Sequence, residues 1–428
     1  MNEIEAVGAE AALGGGEGGS TVGKDRPWLY SLLIAPSAVV ANGVVQGGAL
    51  AYMLSEQGIG SGRQSRMMFL LGLPTWLYFM WSPITDFFVR RRTWVLVGGL
   101  LAAAAMMASF HQPNLSSATA LSLMLLSACC SQLVVSSCGG MLGAMRLERS
   151  RRVGSSFYQA GSMGFGAAAA WALVKLSYSG AGRDKLGLVA AAMIGIPTLF
   201  ALAAPNQEVI SEGTFAGTMG RVWMECKTTF WRWEALPYIG CMVFPMASGA
   251  AVGLLPGVAK QYGVNGGSVA WMNGLLGGLL MAAGSAAAVI LPTRVRASVM
   301  YMVVSLVNCA TLGVLWLGPL RPSTYYLGVT LYLFTIGTCY SMFTAVLLEF
   351  LGHSGKSGSG RYSIINSLGN VPVQYMLLVD GWGGDKWGGR GLAGSEAVVG
   401  AIGAVILLAY FLLHKRVDST PAVSPIRA

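Results

Sequence analysis

Residues 81–111 are WSPITDFFVRRRTWVLVGGLLAAAAMMASFH. One apolar segment ends near the acid Asp86, three arginines follow at 90–92, and a second apolar run fills residues 93–111. A helix that spans a bilayer needs about 20 predominantly apolar residues. The same alternation of apolar runs and short polar links continues along the whole 428-residue chain. The sequence therefore predicts an all-α membrane protein.

Twelve apolar runs of this kind are predicted, and they leave no room for a sizeable soluble domain. Function is therefore expected between the helices. The predicted spans are 28–54, 67–89, 93–111, 118–145, 153–178, 186–204, 236–259, 268–292, 297–318, 323–351, 360–380 and 395–414.

The composition supports this class of protein. Hydrophobic residues make up 54% of the chain and charged residues 11%, against about 25% charged in globular proteins. The net charge of +10 comes from short links, which the positive-inside rule explains without nucleic-acid binding. Links on the N-terminal side carry more than twice as many Lys and Arg residues as the opposite links. We expect a cell (inner) membrane protein with both termini cytoplasmic.

The longest internal link divides the predicted spans into two sets of six. Residues 205–235 mix both charges with three tryptophans, which is typical of an amphipathic helix on a membrane surface. The predicted order is a disordered cytoplasmic tail (1–27), a six-helix bundle (28–204), a cytoplasmic linker (205–235), a second six-helix bundle (236–414) and a cytoplasmic tail (415–428).

The link after the second span carries a recognisable motif. Trp81 to Trp94 resembles the loop 2–3 signature of the major facilitator superfamily, roughly Gly-x-Leu-Ala-Asp-Arg-x-Gly-Arg-Lys, in which Asp86 matches the acid and Arg90 and Arg91 match the basic pair. The chain departs from the signature at Ser82, Phe87 and Val89.

The form Trp-Ser-Pro-x-x-Asp followed by Arg-Arg-Arg-x-Trp is more similar to the muropeptide permease (AmpG) and acetyl-coenzyme A transporter branch and to related siderophore-uptake permeases. Residues 361–370 and Asp380-Gly381 resemble the eleventh span of that branch, and Gly277-Gly278 and Gly284 fit its eighth span. The resemblance implies two six-helix bundles around a central cavity, alternating access and proton-coupled symport.

Amide side chains are the main candidates for substrate binding. Asn366, Asn370 and Gln374 recur every four residues and so share one face of the eleventh span. Interhelical hydrogen bonding is the alternative to cavity lining. Asn42 and Gln46 form a similar pair on the first span, where the resemblance implies a cavity wall.

Three further candidates have structural explanations of equal or greater weight. Gln132 and Asn273, each taken alone, are expected to bond neighbouring helices. Apart from Arg361, which begins the eleventh span, Lys175 is the one basic residue placed within a predicted span, and an anionic substrate group would be its natural partner. A lysine near a helix end can instead extend to the interface.

Charged residues at helix ends suggest gates. Asp86 with Arg90 and Arg91 is expected to latch the inner side, and Glu349 with Arg361 forms a second candidate gate or a simple surface pair.

No carboxylate is expected in the middle of a span. Glu56, Asp86, Glu349 and Asp380 are all placed near span ends, and Glu349 is the best candidate for proton coupling. Asp380 and Asp385 are assigned to a Gly/Trp-rich outer loop.

The sequence contains no phosphate-binding loop, metal-ligand spacing or catalytic triad, so neither an enzyme nor a cofactor is expected. The predicted function is secondary active transport of a polar, anionic, muropeptide- or siderophore-like metabolite by a monomer, with protons as a candidate coupling partner. A drug or metabolite exporter and a non-transporting membrane sensor are the alternatives.

Overall fold

The computed structural model describes residues 26–85, 89–143, 145, 148–204, 217, 220, 223–224, 227–228, 230–292, 294–352 and 367–413, and within these ranges it contains helices and no strand. The helices are α1a (Leu29–Val45), α1b (Ala49–Glu56), α2a (Ser61–Trp76), α2b (Tyr78–Thr85), α3 (Arg91–Phe110), α4 (Ala118–Gly143), α5 (Glu148–Tyr178), α6 (Arg183–Ala203), α7a (Leu236–Val243), α7b (Ala250–Val258), α8 (Gly266–Ile290), α9 (Ala297–Leu317), α10 (Pro322–Gly352), α11 (371–386) and α12 (389–413).

Several of these helices are long and apolar enough to cross a membrane. Within the described ranges seven meet the length and hydropathy requirement, with α11 and α12 counted as one, and α1a with α1b makes an eighth. The chain is thus a multi-pass membrane protein. A helix is found at the position of every predicted span, but α2 and α7 are interrupted, so the number of twelve spans stays a prediction.

The helices before and after the linker contact each other through a repeated set of pairs. Helix α2a packs on α11, α5 packs on α8, and α1b packs on α7b. A shift of six in helix number relates the first two pairs, because α2 corresponds to α8 and α11 to α5. This is expected of two parallel repeats, here the first repeat (α1a to α6) and the second repeat (α7a to α12), related by an axis along the membrane normal. The cleft between these pairs is the natural place for a site.

The first helix of each repeat breaks at the same point. Gly48 precedes α1b and Gly249 precedes α7b, with φ of +78° and +76°. Only glycine adopts this left-handed conformation without steric cost. The half-helices that follow the two breaks, α1b and α7b, pack against each other.

Two ends of the helix bundle are defined by their links. The Gly60 end contains the links at 57–60, 179–182 and 318–321, and the Arg90 end contains Arg90, the C-terminal end of α6 and the described residues between α8 and α9. Most of link 205–229 lies outside the described residues. Trp231 and Trp233 next to it are 85% and 87% exposed, and its amphipathic character stays a prediction.

The prediction of an outer loop at 381–394 is wrong. The chain is helical from Val371 to Leu413, with a break at Trp387 and Gly388. Gly381 and Gly384 lie against Ser65 and Ser61 of α2a, and Gly389 lies against Tyr262. Small residues in membrane helices allow close helix packing, and this packing explains why a glycine-rich stretch is helical here.

The second span also begins earlier than predicted, at Ser61 rather than residue 67. Its first turns contain Gln64 and Ser65, which are 2% and 1% exposed. Hydropathy alone assigns such polar residues to the link between two helices, whereas here they are buried against the other repeat.

Candidate functional site

Two small neighbouring cavities lie along α1a and α2a. The larger is also lined by α7b and α11 and so lies in the cleft between the two repeats, whereas the smaller is lined by α1a, α2a and α4 of the first repeat. Their volumes are about 20 and 10 Å³, and about 10–15 Å³ suffices for one water molecule. The cleft is therefore nearly closed, and a solute enters only if the repeats separate. The larger cavity is lined by Val45, Gln46, Met68, Gly72, Gly249, Ala250, Gly253, Val373, Gln374 and Leu377.

Gln374 of α11 is the most distinctive polar group in the cleft. Its side chain is 4% exposed, and its Oε1 atom is buried without a hydrogen-bond partner. A buried amide oxygen without a partner costs about 1–3 kcal/mol. Gly72 of α2a makes room for this amide, because a Cβ there would overlap it. The structure thus places an unpaired acceptor between the repeats.

Two more predicted glutamines lie beside it. Gln46 lines both cavities and makes no side-chain hydrogen bond to a described residue. Gln132 of α4 lines the smaller cavity and donates through Nε2 to Thr75 Oγ1 at 3.1 Å. The cleft wall therefore presents amides from both repeats, and among the residues lining the two cavities there is no Lys or Arg.

Asn42 does not accompany Gln46 into the cavities. Its Nδ2 donates to Ser162 Oγ of α5 at 3.0 Å, so this side chain bonds two helices. The reason is the local backbone: Ala38–Val45 is a π-helix, and the amide of Gln46 bonds the carbonyl of Ala41, five residues back. The wider turn separates residues that an α-helix would place on one face.

The other predicted substrate residues lie elsewhere. Lys175 is exposed near the end of α5, with Nζ close to Gly267, and it lines neither cavity. Asn273 of α8 accepts from Tyr325 Oη at 2.9 Å, and its buried Nδ2 has no partner. Asn370 is half-buried at the start of α11, whereas Asn366 lies outside the described residues.

The predicted latch is only partly visible. Arg90 is exposed, and Arg91 donates to the carbonyl of Gly140 in α4 at 2.7 Å. Asp86 and Arg361 lie outside the described residues, so the Asp86 latch and the Glu349–Arg361 gate stay predictions.

Glu349 has clear partners near the Arg90 end. It accepts from Tyr238 Oη at 2.9 Å and lies 3.5 Å from the Arg296 guanidinium. Partial burial lowers the pKa of Arg296, but the contacts with Tyr238 and Glu349 outweigh it, and the pKa is raised. The charged pair joins α7a, α9 and α10.

A direct contact closes the Gly60 end. Asp385 Oδ1 of α11 accepts from the backbone N–H of Gly62, in the first turn of α2a, at 2.8 Å. A carboxylate at a helix N-terminus satisfies a free N–H and interacts favourably with the helix dipole. Glu56 and Lys260 add a looser ion pair of 3.9 Å between exposed side chains.

The two buried acids, Asp380 and Glu396, were not identified from the sequence as a candidate site. Asp380 and Glu396 are 0% and 2% exposed within α11 and α12, so the prediction that every carboxylate lies near a span end is wrong. Their burial follows from the continuous helix at 381–386. The sequence signal was Glu396, an acid inside the predicted span 395–414.

The chain is similar in fold to solved transporters. A crystal structure of the nucleoside transporter NupG matches with a TM-score of 0.66 and 11% identity, covering 91% of this chain and 99% of that one. The peptide transporter POT in complex with sulfate matches with a TM-score of 0.67 and 13% identity, covering 92% and 97%.

The chain thus shares its fold with these two transporters. The predicted all-α membrane architecture is confirmed, whereas the twelve spans and the muropeptide branch are not. No protein-family model and no curated protein matches the chain.

Proposed function

We propose that this chain is a non-enzymatic secondary transporter that moves a polar small molecule across the cell membrane by alternating access. The main observation in support of this function is the unpaired Oε1 of Gln374, which is buried in a cavity between the two repeats. A hydrogen-bond donor on a solute would satisfy it. The likeness of fold to nucleoside and peptide transporters supports the same function.

The cavity walls favour a solute rich in hydroxyl and amide groups. Gln46 and Gln374 offer both donors and acceptors from opposite repeats, so a solute held by both would draw the repeats together. Muropeptide-like and siderophore-like metabolites carry such groups. An anionic group, which the resemblance implies, has no described cation in either cavity and would have to be met by residues such as Lys175 after opening.

In this proposal both termini are cytoplasmic, so the Gly60 end faces outward and the Arg90 end inward. The structure is then closed to the outside by Asp385 and Gly62. Asp86, with Arg90 and Arg91, holds the inner side in the opposite state. The transporter works as a monomer.

The test is a thermal-shift screen of the purified protein in detergent. The panel is anhydro-muropeptides, siderophores, nucleosides, dipeptides, coenzyme A esters and cationic drugs. A ligand at 100 times its dissociation constant adds about 2.7 kcal/mol of stability. We expect one hydroxyl- and amide-rich class to raise Tm in the wild type and to lose most of that effect in Gln374→Ala and Gln46→Ala.

The matched control is Gln57→Ala, an exposed glutamine at the end of α1b. It should keep the full response. The stabilising compound is then tested for counterflow in proteoliposomes. Binding without counterflow would favour a membrane sensor, and a response confined to cationic drugs would favour an exporter; either result rejects the proposal.

A further inference from the structure

The two buried acids form a site separate from the amide-lined cleft. Asp380 belongs to α11 and Glu396 to α12, and they interact directly in the bundle interior. Ionisable groups inside a membrane protein are costly and commonly mark ion or proton sites. We propose that Asp380 and Glu396 are the proton-binding site of this transporter, with Asp380 carrying the proton and Glu396 staying ionised.

Glu396 is surrounded by hydrogen-bond donors. Its Oε1 accepts from Ser248 Oγ at 2.9 Å, from the Gly249 N–H at 3.2 Å and from Tyr332 Oη at 2.9 Å, and its Oε2 accepts from the Ala251 N–H at 2.6 Å. Four donors suit a carboxylate, which only accepts. Two of the donors belong to the start of α7b, where a negative charge is also favoured by the helix dipole.

Asp380 has the opposite environment. Its Oδ1 accepts from Ser395 Oγ at 2.9 Å, and its buried Oδ2 has no hydrogen-bond partner. Glu396 is the charged group acting on it. A second negative charge here would be neither solvated nor paired, which is strongly unfavourable. A proton on Oδ2 removes that charge.

The surrounding groups do not supply a compensating cation. In the part of the chain that the structure describes, the titratable side chains that face the pair are Tyr332 and Tyr340 of α10 and Cys309 of α9. Among the described residues, no Lys, Arg or His contacts either carboxyl group. The pair therefore holds one negative charge and one exchangeable proton.

The pair is connected to the cleft through α7b. Gly249 and Ala250 line the larger cavity, and the N–H groups on either side of Ala250 bind Glu396. When Asp380 passes its proton to water, the new carboxylate repels Glu396. This repulsion weakens the bonds that Glu396 accepts from Ser248, Gly249 and Ala251 at the glycine break before α7b. Proton release thereby changes the cavity wall, which is how the proton and solute become coupled.

This inference rests on the proposed transport function, so its test uses protons alone. Infrared spectra of the purified protein are recorded from about pH 5 to about pH 9, the range in which buried carboxyl groups titrate. A carboxylic acid C=O band should disappear as the pH rises. Asp380→Asn should lack this band, whereas Asp184→Asn should keep it, because Asp184 is an exposed acid paired with His111.

Two further measurements do not depend on a variant that folds. Labelling all aspartates with carbon-13 in the wild type should shift the titrating band, and labelling glutamates should leave it in place. Amide hydrogen exchange at residues 244–251 should be faster at high pH than base catalysis of exchange explains. In Asp380→Asn this excess should be lost.

A titrating band that survives Asp380→Asn, or that follows glutamate labelling, would overturn the proposal, as would the absence of any such band in the wild type. These outcomes are distinct from failure of the transport proposal. A protein that shows the titration but no counterflow would retain the proton site and lose the transport function.

Discussion

Asp385 Oδ1 accepts a 2.8 Å hydrogen bond from the N–H of Gly62, although the two residues are 323 positions apart and belong to different repeats. The contact places the acid of α11 over the first turn of α2a, and Gly62 has no side chain that would block it. A single acid therefore helps hold the Gly60 end closed. Breaking this one hydrogen bond leaves the interior of both repeats intact.

Asp385→Ala should shift the protein toward a state open at the Gly60 end. Loss of a capping carboxylate costs about 1 kcal/mol, which changes a population ratio about fivefold. Distances between spin labels on α2a and α11 would report the shift. Asp184→Ala removes another exposed acid and should change nothing; an unchanged distance distribution in Asp385→Ala would show that the contact does not hold the closed state.

Gly48→Ala and Gly249→Ala should each lower stability by more than Gly58→Ala. All three glycines have positive φ, which costs a non-glycine residue about 1–2 kcal/mol. A Cβ at Gly48 would also overlap Pro256, and one at Gly249 would overlap Tyr340, whereas Gly58 has open space around it. Thermal unfolding in detergent measures the difference. Equal losses at the three sites would mean that packing at the breaks contributes nothing.

Gly72→Ala should weaken ligand binding more than it lowers stability. The new methyl group would occupy the position of the Gln374 amide, which is a flexible side chain able to move away. The displaced Gln374 amide fills the cavity. We therefore expect the affinity for the stabilising compound of the thermal-shift screen to fall at least tenfold, or by about 1.4 kcal/mol. Gly139→Ala in α4 meets only an ordinary contact with Tyr78 and should bind normally. Unchanged affinity in Gly72→Ala would place the solute elsewhere.

Glu349→Gln should lower stability without removing proton coupling. The substitution weakens bonds to Tyr238 and Arg296, and a hydrogen bond to a charged group contributes about 1.5–3 kcal/mol. Because both side chains of the ion pair are partly exposed, we expect about 1 kcal/mol. Uptake by the variant should still depend on a pH gradient. Loss of that dependence with unchanged stability would make Glu349 the coupling residue instead.

Hydropathy predicted where helices lie, and three kinds of feature escaped it. The helical stretch at 381–386 was missed because glycine signals a loop in water but close packing in a membrane. Ser61 was left outside α2 because its burial depends on the other repeat. Asn42 was grouped with Gln46 because the π-turn between them has no simple signature in the sequence. Each miss involves a contact distant in sequence or a backbone irregularity.

The candidate site shows the same limit. The polar stripe on the eleventh span includes Gln374, which lines the larger cavity, and its role in substrate binding stays a prediction. The pairing of Asp380 with Glu396 could not be predicted, because it depends on where α11 ends and how α12 returns beside it. Glu396 itself carries a usable signal, since an acid next to an apolar run deserves consideration as a buried group.

Alternating access is the central claim, and labelling of the cleft tests it most directly. The Gln46→Cys variant is reconstituted into sealed proteoliposomes, and a membrane-impermeant maleimide is added to one face at a time. The wild-type protein, labelled in the same way, measures the reaction of the native cysteines. We predict reaction from both faces. Cross-linking Gly62→Cys to Asp385→Cys should abolish reaction from the Gly60 face alone. Reaction from only one face, whether or not the cross-link is present, would contradict the account.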